Sequence, residues 1–329
     1  MIRVGVLGYG YWGPNVVRNF NAVPGAKVTA ICDKRNVSVV DVCNHCPDPM
    51  MMNDPEELFK ATDIDVIAVV TPVSTHFEFA KRALMAGKHV FVEKPFTQTH
   101  DQAYELIDLA AKKNLKIIVD HTFLYTGAVR KIKELIDTDQ LGSIYYYDSS
   151  RINLGLVQKD TNVVWDLAPH DFAILRHLIK EKPEAIQAFG KPHVSKQEDI
   201  AYVFVYFPKN LVAHFTLSWL SPVKVRTTMI GGDKKMLVWS DTASDEKIKI
   251  YDKGVESGSR ELLISYRSGD MYSPRLDPGE ALLAECTEFI QCIMTDTKPL
   301  SDGTMGLEVV KLLEASDRSL KNNGGMVLL

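Results

Sequence analysis

The sequence predicts an α/β protein in two parts, a doubly wound parallel sheet first and an antiparallel sheet after it. Three observations lead there. Segments of strand and helix character alternate with short connections up to residue 119. Strand-like segments then follow one another, separated by turn signals. The chain has 329 residues, 46% from the AVILMFWYC set and 24% charged, which is too long for one ordinary domain and apolar enough to fill two cores.

Ile2–Leu7 is a short apolar run and reads as the first strand. Gly8, Gly10 and Gly13 follow it, and Pro14 stands where the first turn of a helix tolerates proline. That helix should stop at Pro24-Gly25, and Lys27–Cys32 reads as the second strand. Val66–Val70 is wholly apolar, as a strand buried on both faces would be. A helix over Thr75–Ala86 with Gly87 as its stop comes next, then a strand over His89–Val92. A helix over Thr99–Lys113 and a strand over Lys116–Val119 complete the alternation. Strands are then expected at 144–153, 186–189, 200–207, 211–219, 224–230 and 235–239. Pro208-Lys209-Asn210 and Gly231-Gly232-Asp233 serve as turns. One helix, Trp165–Ile179, interrupts them, and Glu280–Met294 and Met305–Lys321 close the chain as helices. The expected division is residues 1–122 and 123–329.

Composition excludes several classes. Thirty-eight Lys and Arg against 42 Asp and Glu leave a net charge of −4, which argues against nucleic acid as the main partner. No run approaches the roughly 18 apolar residues of a membrane span. MIRVGVLGYG is broken by glycines at once and reads as a strand rather than a signal peptide. Five cysteines, an odd number, read as reduced thiols, so the expected compartment is the cytoplasm. Cys43 and Cys46 form a single C-x-x-C without the second half of a zinc site and are taken as structural; no metal is expected.

Gly8, Gly10 and Gly13 form G-x-G-x-x-G between a strand and a helix, the context that dinucleotide binding requires. The first glycine permits the tight turn, the second the close approach of a pyrophosphate, the third close packing of helix on strand. Asp33 ends the second strand, twenty residues after Gly13, where a carboxylate accepts hydrogen bonds from ribose hydroxyls. It favours NAD by repelling a ribose 2′-phosphate; Lys34 and Arg35 can offset that repulsion and keep NADP open. Glu93-Lys94-Pro95 stands at the carboxyl end of a parallel strand, the side on which such sheets bind ligands. Lys94 there can stabilise alkoxide character, or be a surface lysine before a turn. Asp166 and His170 are four apart on a helix and share a face, with Leu167, Ile174 and Leu178 as the buried stripe. A histidine can take a hydroxyl proton near neutral pH; a capping aspartate and a satisfied histidine would explain the same pair. His121 follows the last parallel strand and could approach the cofactor, though a polar residue filling the domain junction explains it as well.

Together these pieces resemble the glucose–fructose oxidoreductase/inositol dehydrogenase (Gfo/Idh/MocA) family over nearly the whole chain. The resemblance rests on Gly8-Tyr9-Gly10-Tyr11-Trp12-Gly13, on Thr71-Pro72 with His76, on Gly87 to Pro95, and on Asp166-x-x-x-His170. It implies an N-terminal Rossmann domain and a C-terminal domain with a large, open, mostly antiparallel sheet. The sheet's outer face would make subunit contacts, so a homodimer or homotetramer is expected. It further implies that Lys94 contacts the reacting hydroxyl, His170 accepts the proton, and Asp166 binds substrate hydroxyls and supports the histidine. Thr71, Pro72, His76 and Glu93 would line the nicotinamide half of the cofactor site, with Tyr11 and Trp12 in the glycine loop also cofactor-binding.

The finer likeness is to relatives that oxidise nucleotide-linked sugars, such as the 3-hydroxyl of a UDP-N-acetylglucosamine-type sugar. Tyr125, Arg151 and Asn153 are candidate substrate contacts, with a solvated strand end as the plainer reading of Arg151 and Asn153. Free polyols such as inositol, ketosugar reduction, and a cofactor-binding regulator without turnover are the competing functions.

Overall fold

The computed structural model describes residues 1–35, 42, 45, 46, 49–155, 157, 158, 161–257 and 264–329. Cys43 lies outside the described residues, so the expectation for the C-x-x-C goes with it. The chain divides into two compact units, Met1–Tyr125 with Gly279–Lys311, and Thr126–Pro278 with Leu312–Leu329.

The first unit is built on six strands: β1 (Ile2–Leu7), β2 (Ala26–Cys32), β3 (Met50–Met52), β4 (Val66–Val69), β5 (His89–Glu93) and β6 (Ile117–Asp120). Their order is β3-β2-β1-β4-β5-β6 and every pair is parallel. The order reverses beside β1, the switch point where doubly wound sheets bind dinucleotides. Helices α1 (Gly13–Ala22), α2 (Pro55–Lys60), α3 (His76–Met85) and α4 (His100–Lys112) connect the strands. β4 is fully buried along its length, as a strand covered on both faces must be. In this unit the strand β3 and the helix α2 were not expected from the sequence. β3 is three methionines with no alternation to read, and pairing with β2 defines it. α2 is short, but its signals were present: Asp54 caps it by accepting from the Glu56 N–H at 2.9 Å, and Pro55 opens it.

The second unit carries α5 (Gly127–Asp137), α6 (Val163–Leu178) and a nine-stranded sheet. Its strands are β7 (Ile144–Leu154), β8 (Ala185–Lys191), β9 (Ile200–Tyr206), β10 (Val212–Ser218), β11 (Leu220–Gly232), β12 (Met236–Ser240), β13 (Ile248–Ser257), β14 (Ile264–Tyr272) and β15 (Val327–Leu328). The order is β14-β13-β12-β11-β7-β10-β9-β8-β15, antiparallel except for β7 against β10. Ala201, Val203 and Val205 of β9 and Ala213, Phe215 and Leu217 of β10 face inward. Phe172 of α6 meets Phe215 edge-on at 5.2 Å. The same strands turn Tyr202 and Phe204 outward, together with Phe189 and Met229. α6 buries Ile174 and Leu178 as expected; Leu167 stays half-exposed, and Ala168, Phe172 and Leu175 take the core instead.

Two helices follow, α7 (Ala281–Thr295) and α8 (Gly303–Lys321). The linear division at residue 122 needs correction here. The first unit runs to Tyr125 and also takes 279–311. Leu282, Cys286, Phe289 and Ile290 of α7 join the core formed by Val4, Val6, Val17, Phe20 and Phe91. Burial of that apolar face, rather than position along the chain, decides which unit α7 belongs to.

Candidate active site

The first unit presents a nucleotide cradle at the ends of β1 and β2. Gly8 has φ +99°, and a Cβ there would lie 2.4 Å from the Val70 carbonyl oxygen, so only glycine fits the turn. A Cβ on Gly10 would meet only the Arg35 Nη2, at 3.9 Å, which leaves the loop open to a close-lying phosphate. α1 starts without a side-chain cap, so its first N–H groups face the same loop and suit an anion. These residues fit a dinucleotide. Gly10→Val should therefore raise the NAD dissociation constant by about tenfold or more, a loss near 1.4 kcal/mol, while the melting temperature stays unchanged. Titration by NADH fluorescence checks this, and unaltered affinity would remove the loop from the cofactor site.

Asp33 follows β2. Its oxygens accept from the Tyr9 N–H at 2.8 Å, the Arg35 N–H at 2.8 Å, and the Arg35 guanidinium at 3.0 and 2.9 Å. The Arg35 guanidinium, helped by the two backbone N–H groups, holds the carboxyl down at about 2. Asp33 is thus a fixed anion beside the glycine loop. Arg35, rather than Lys34, is the cation closed onto it.

The residues expected at the nicotinamide end gather at the carboxyl ends of β4, β5 and β6. His76 at the start of α3 sets its ring between two backbone carbonyls, Nδ1 2.8 Å from that of Pro95 and Nε2 2.7 Å from that of Thr71. Burial pulls its pKa down. With a single N–H in its neutral ring it donates to one of these carbonyls, and at 1% exposed it lies buried between the loop of Thr71-Pro72 and that of Lys94-Pro95. The expectation that it lines the cofactor is corrected to a clasp behind the loops. Tyr11 is 96% exposed in the glycine loop. Trp12 instead turns inward, its indole donating to Asp120 at 2.7 Å.

Asp120 is one member of a carboxyl cluster that the sequence did not reveal. Glu93 ends β5 beside it, and Glu285 reaches it from α7. Burial and the Asp120 charge hold both glutamates well above the usual carboxylate range. Asp120 accepts from the Trp12 indole and from the Thr122 hydroxyl. His121 is buried beside it, pulled down to about 4 by burial, and neither ring nitrogen has a hydrogen-bond partner among the described residues. Asp120 was legible in principle, since it ends a parallel strand as Asp33 and Glu93 do. Glu285 was not, because only the fold brings α7 there.

In the second unit the site is a helix. Asn162 caps α6 by accepting from the Val164 and Trp165 N–H groups, both at 3.1 Å. Asp166 and His170 stand one turn apart and are both partly exposed. Oδ2 of Asp166 accepts from the indole of Trp219 at 2.8 Å. Lys94 belongs to the first unit, and Asp166 and His170 to the second.

Two of the substrate candidates sit in the interior. Arg151 is 5% exposed, and its guanidinium grips Asp171 through Nε at 2.7 Å and Nη2 at 3.0 Å. Neither a solvated strand end nor a substrate contact describes it; it is a buried ion pair between β7 and α6. Tyr125 is buried, donates to Glu288 at 2.5 Å and lies 3.2 Å from Ser301, and burial beside Glu285 and Glu288 pushes its hydroxyl up so that it stays protonated. Asn153 remains half-buried near the end of β7. Among the described residues no helix is long and apolar enough to cross a membrane, and no cluster of side chains suits a metal.

Comparison with known proteins agrees with this geometry. Residues 2–121 match the GFO/IDH/MocA oxidoreductase family, NAD-binding Rossmann fold, and residues 129–238 match the GFO/IDH/MocA C-terminal domain, so together the two matches cover more than half of the chain. The oxidoreductase YdgJ of Escherichia coli is 33% identical over 61% of this chain, a match spanning 57% of that protein. The UDP-N-acetylglucosamine 3-dehydrogenase of Acidithiobacillus ferrooxidans is 23% identical over 94% of both chains. Its crystal structure superposes with a TM-score of 0.80, covering 98% of each chain at 22% identity. The scyllo-inositol 2-dehydrogenase (NAD(+)) of Bacillus subtilis is 23% identical over 94% of this chain and 92% of its own. An oxidoreductase from Agrobacterium radiobacter, solved with NAD+, L-tartaric acid and magnesium, has the same fold at a TM-score of 0.83, with 17% identity over 99% and 98% of the two chains.

Proposed function

Because the chain belongs to the GFO/IDH/MocA oxidoreductase family and carries its NAD-binding Rossmann domain, we propose that it oxidises a secondary hydroxyl of a sugar. We infer further that the sugar is nucleotide-linked, the reacting group being the 3-hydroxyl of a UDP-N-acetylglucosamine-type substrate. The observation that carries the reading is the partly exposed Asp166 and His170 on one face of α6 in a chain that also places Lys94 at the end of β5. The relative named UDP-N-acetylglucosamine 3-dehydrogenase supports the finer substrate.

Bound NAD supplies the hydride acceptor. His170 takes the hydroxyl proton as general base. Lys94 donates a hydrogen bond to the same oxygen and stabilises its growing negative charge. Asp166 accepts from a neighbouring substrate hydroxyl and orients His170. Thr71, Pro72 and the clasp of His76 hold the loop behind the nicotinamide, and burial beside Asp120 raises the pKa of the Glu93 carboxyl there. Asp33 selects NAD over NADP. The outward Tyr202, Phe204, Phe189 and Met229 suit a subunit contact, and the chain is read as a homodimer or homotetramer. Cys32, Cys46, Cys286 and Cys292 are buried and not joined in disulfides, in keeping with a reducing cytoplasm.

The inositol dehydrogenase relative favours a second reading, oxidation of a free cyclitol. Absorbance at 340 nm with NAD or NADP, and with UDP-sugars, free hexoses and inositol, separates the two. Rapid reduction of NAD by a UDP-N-acetylhexosamine is the expected result. Reduction by inositol alone would replace the nucleotide-sugar reading, and a clear preference for NADP would overturn the role of Asp33.

A further inference from the structure

A carboxylate on a helix surface turns about two side-chain bonds, so placing α6 does not by itself aim Asp166. The aim comes from Trp219, between β10 and β11. Its indole is 1% exposed and has one donor and no acceptor. Buried, that N–H needs a partner, and Oδ2 of Asp166 accepts it at 2.8 Å.

The indole is itself held at both faces of its backbone. The Trp219 N–H donates to the Asp199 carbonyl at 2.9 Å, and its carbonyl accepts from the Gly155 N–H at 3.0 Å. A Cβ on Gly155 would lie 3.2 Å from the Trp219 Cδ1, so the glycine lets β7's end close against the ring. Asp199 is fully buried and accepts from the His193 and Val194 N–H groups at 2.7 and 2.8 Å, which fixes the segment that holds Trp219.

α6 does not need this contact to stay in place. Asn162 donates to Asp317 of α8 at 2.9 Å, and the Trp165 indole donates to the other oxygen of Asp317 at 2.8 Å. Arg151 holds Asp171 one turn further on. The helix thus has three anchors besides Trp219, and the polar contact of the Trp219 indole is with the carboxylate of Asp166.

We propose that Trp219 is a positioning residue for the reaction: its buried indole N–H locks the Asp166 carboxylate in the orientation from which it serves the substrate hydroxyl and His170. This rests on the reading of Asp166 and His170 as catalytic.

Trp219→Phe keeps an aromatic ring and removes the N–H. In the full-length protein, kcat/KM for the sugar should fall about tenfold to a hundredfold, the range of one hydrogen bond to a charged group. KM for NAD should not move. The deciding readout is the double variant: with Asp166→Asn already present, Trp219→Phe should cause no further loss. Gly155→Ala, which keeps the N–H but crowds the ring edge, should give a smaller loss that also vanishes in the Asp166→Asn background, and it carries the test if Trp219→Phe does not fold. Equal fold losses in both backgrounds, or unchanged kcat/KM in Trp219→Phe, would overturn the inference while a crippled Asp166→Asn left the catalytic reading standing. Full activity in Asp166→Asn would remove the catalytic reading and this inference with it.

Discussion

Replacing His170 with alanine should cut kcat by about a hundredfold to ten-thousandfold, the usual contribution of a positioned general base. The affinity for NADH should stay within twofold or so of the parent, because the glycine loop and Asp33 belong to the first unit and His170 to the second. Lys94→Ala should show the same split, with a comparable loss from removal of the cation that stabilises the oxygen. Single-turnover absorbance at 340 nm measures the chemical step, and NADH fluorescence measures binding. Near-normal turnover in both variants would refute the assignment of proton and oxyanion chemistry to these two residues. A fall in cofactor affinity matching the fall in rate would instead mean that the site had been disturbed as a whole.

Arg151→Ala should destabilise the protein by about 3–5 kcal/mol, because it leaves the Asp171 carboxylate buried without its partner. Both side chains are nearly inaccessible, at 6% and 3%, so water cannot replace the lost cation. Arg151→Met with Asp171→Leu should recover most of that loss, since the burial cost of both charges then disappears. Urea denaturation of the single and double variants tests this. A loss below about 1 kcal/mol in Arg151→Ala, the range of an exposed pair, would show that the pair is solvated in solution and would reopen Arg151 as a substrate contact.

The parts of the site that could be read from the chain are local ones. Gly8, Gly10 and Gly13 lie within one turn, and their spacing carries its own geometric reason. Asp33 and Glu93 were found because each ends a strand, and strand ends on one side of a parallel sheet converge. Asp166 and His170 were found because helical periodicity puts them on one face. Arg151 was misread for a physical reason. An alternating strand shows which residues share a face, yet not whether the face with a charge on it is covered, and α6 covers this one with a matching Asp171. His76 and Tyr125 went the same way. Their partners, the Thr71 and Pro95 carbonyls and the Glu288 carboxylate, are set by the fold and not by spacing.

The sequence by itself determined the two architectures and the cofactor loop, because each depends on contacts within a few residues, while the roles of Lys94, Asp166 and His170 came from the family resemblance that their motifs carry. Only the tertiary structure decided that α7 returns to the first unit, that Glu93, Asp120 and Glu285 form one cluster, and that Trp219 meets Asp166. Those arrangements join residues from about 30 to about 290 apart in the chain. Burial of apolar surface brings such segments together, and the polar groups carried inward with them must then find partners that no local pattern announces.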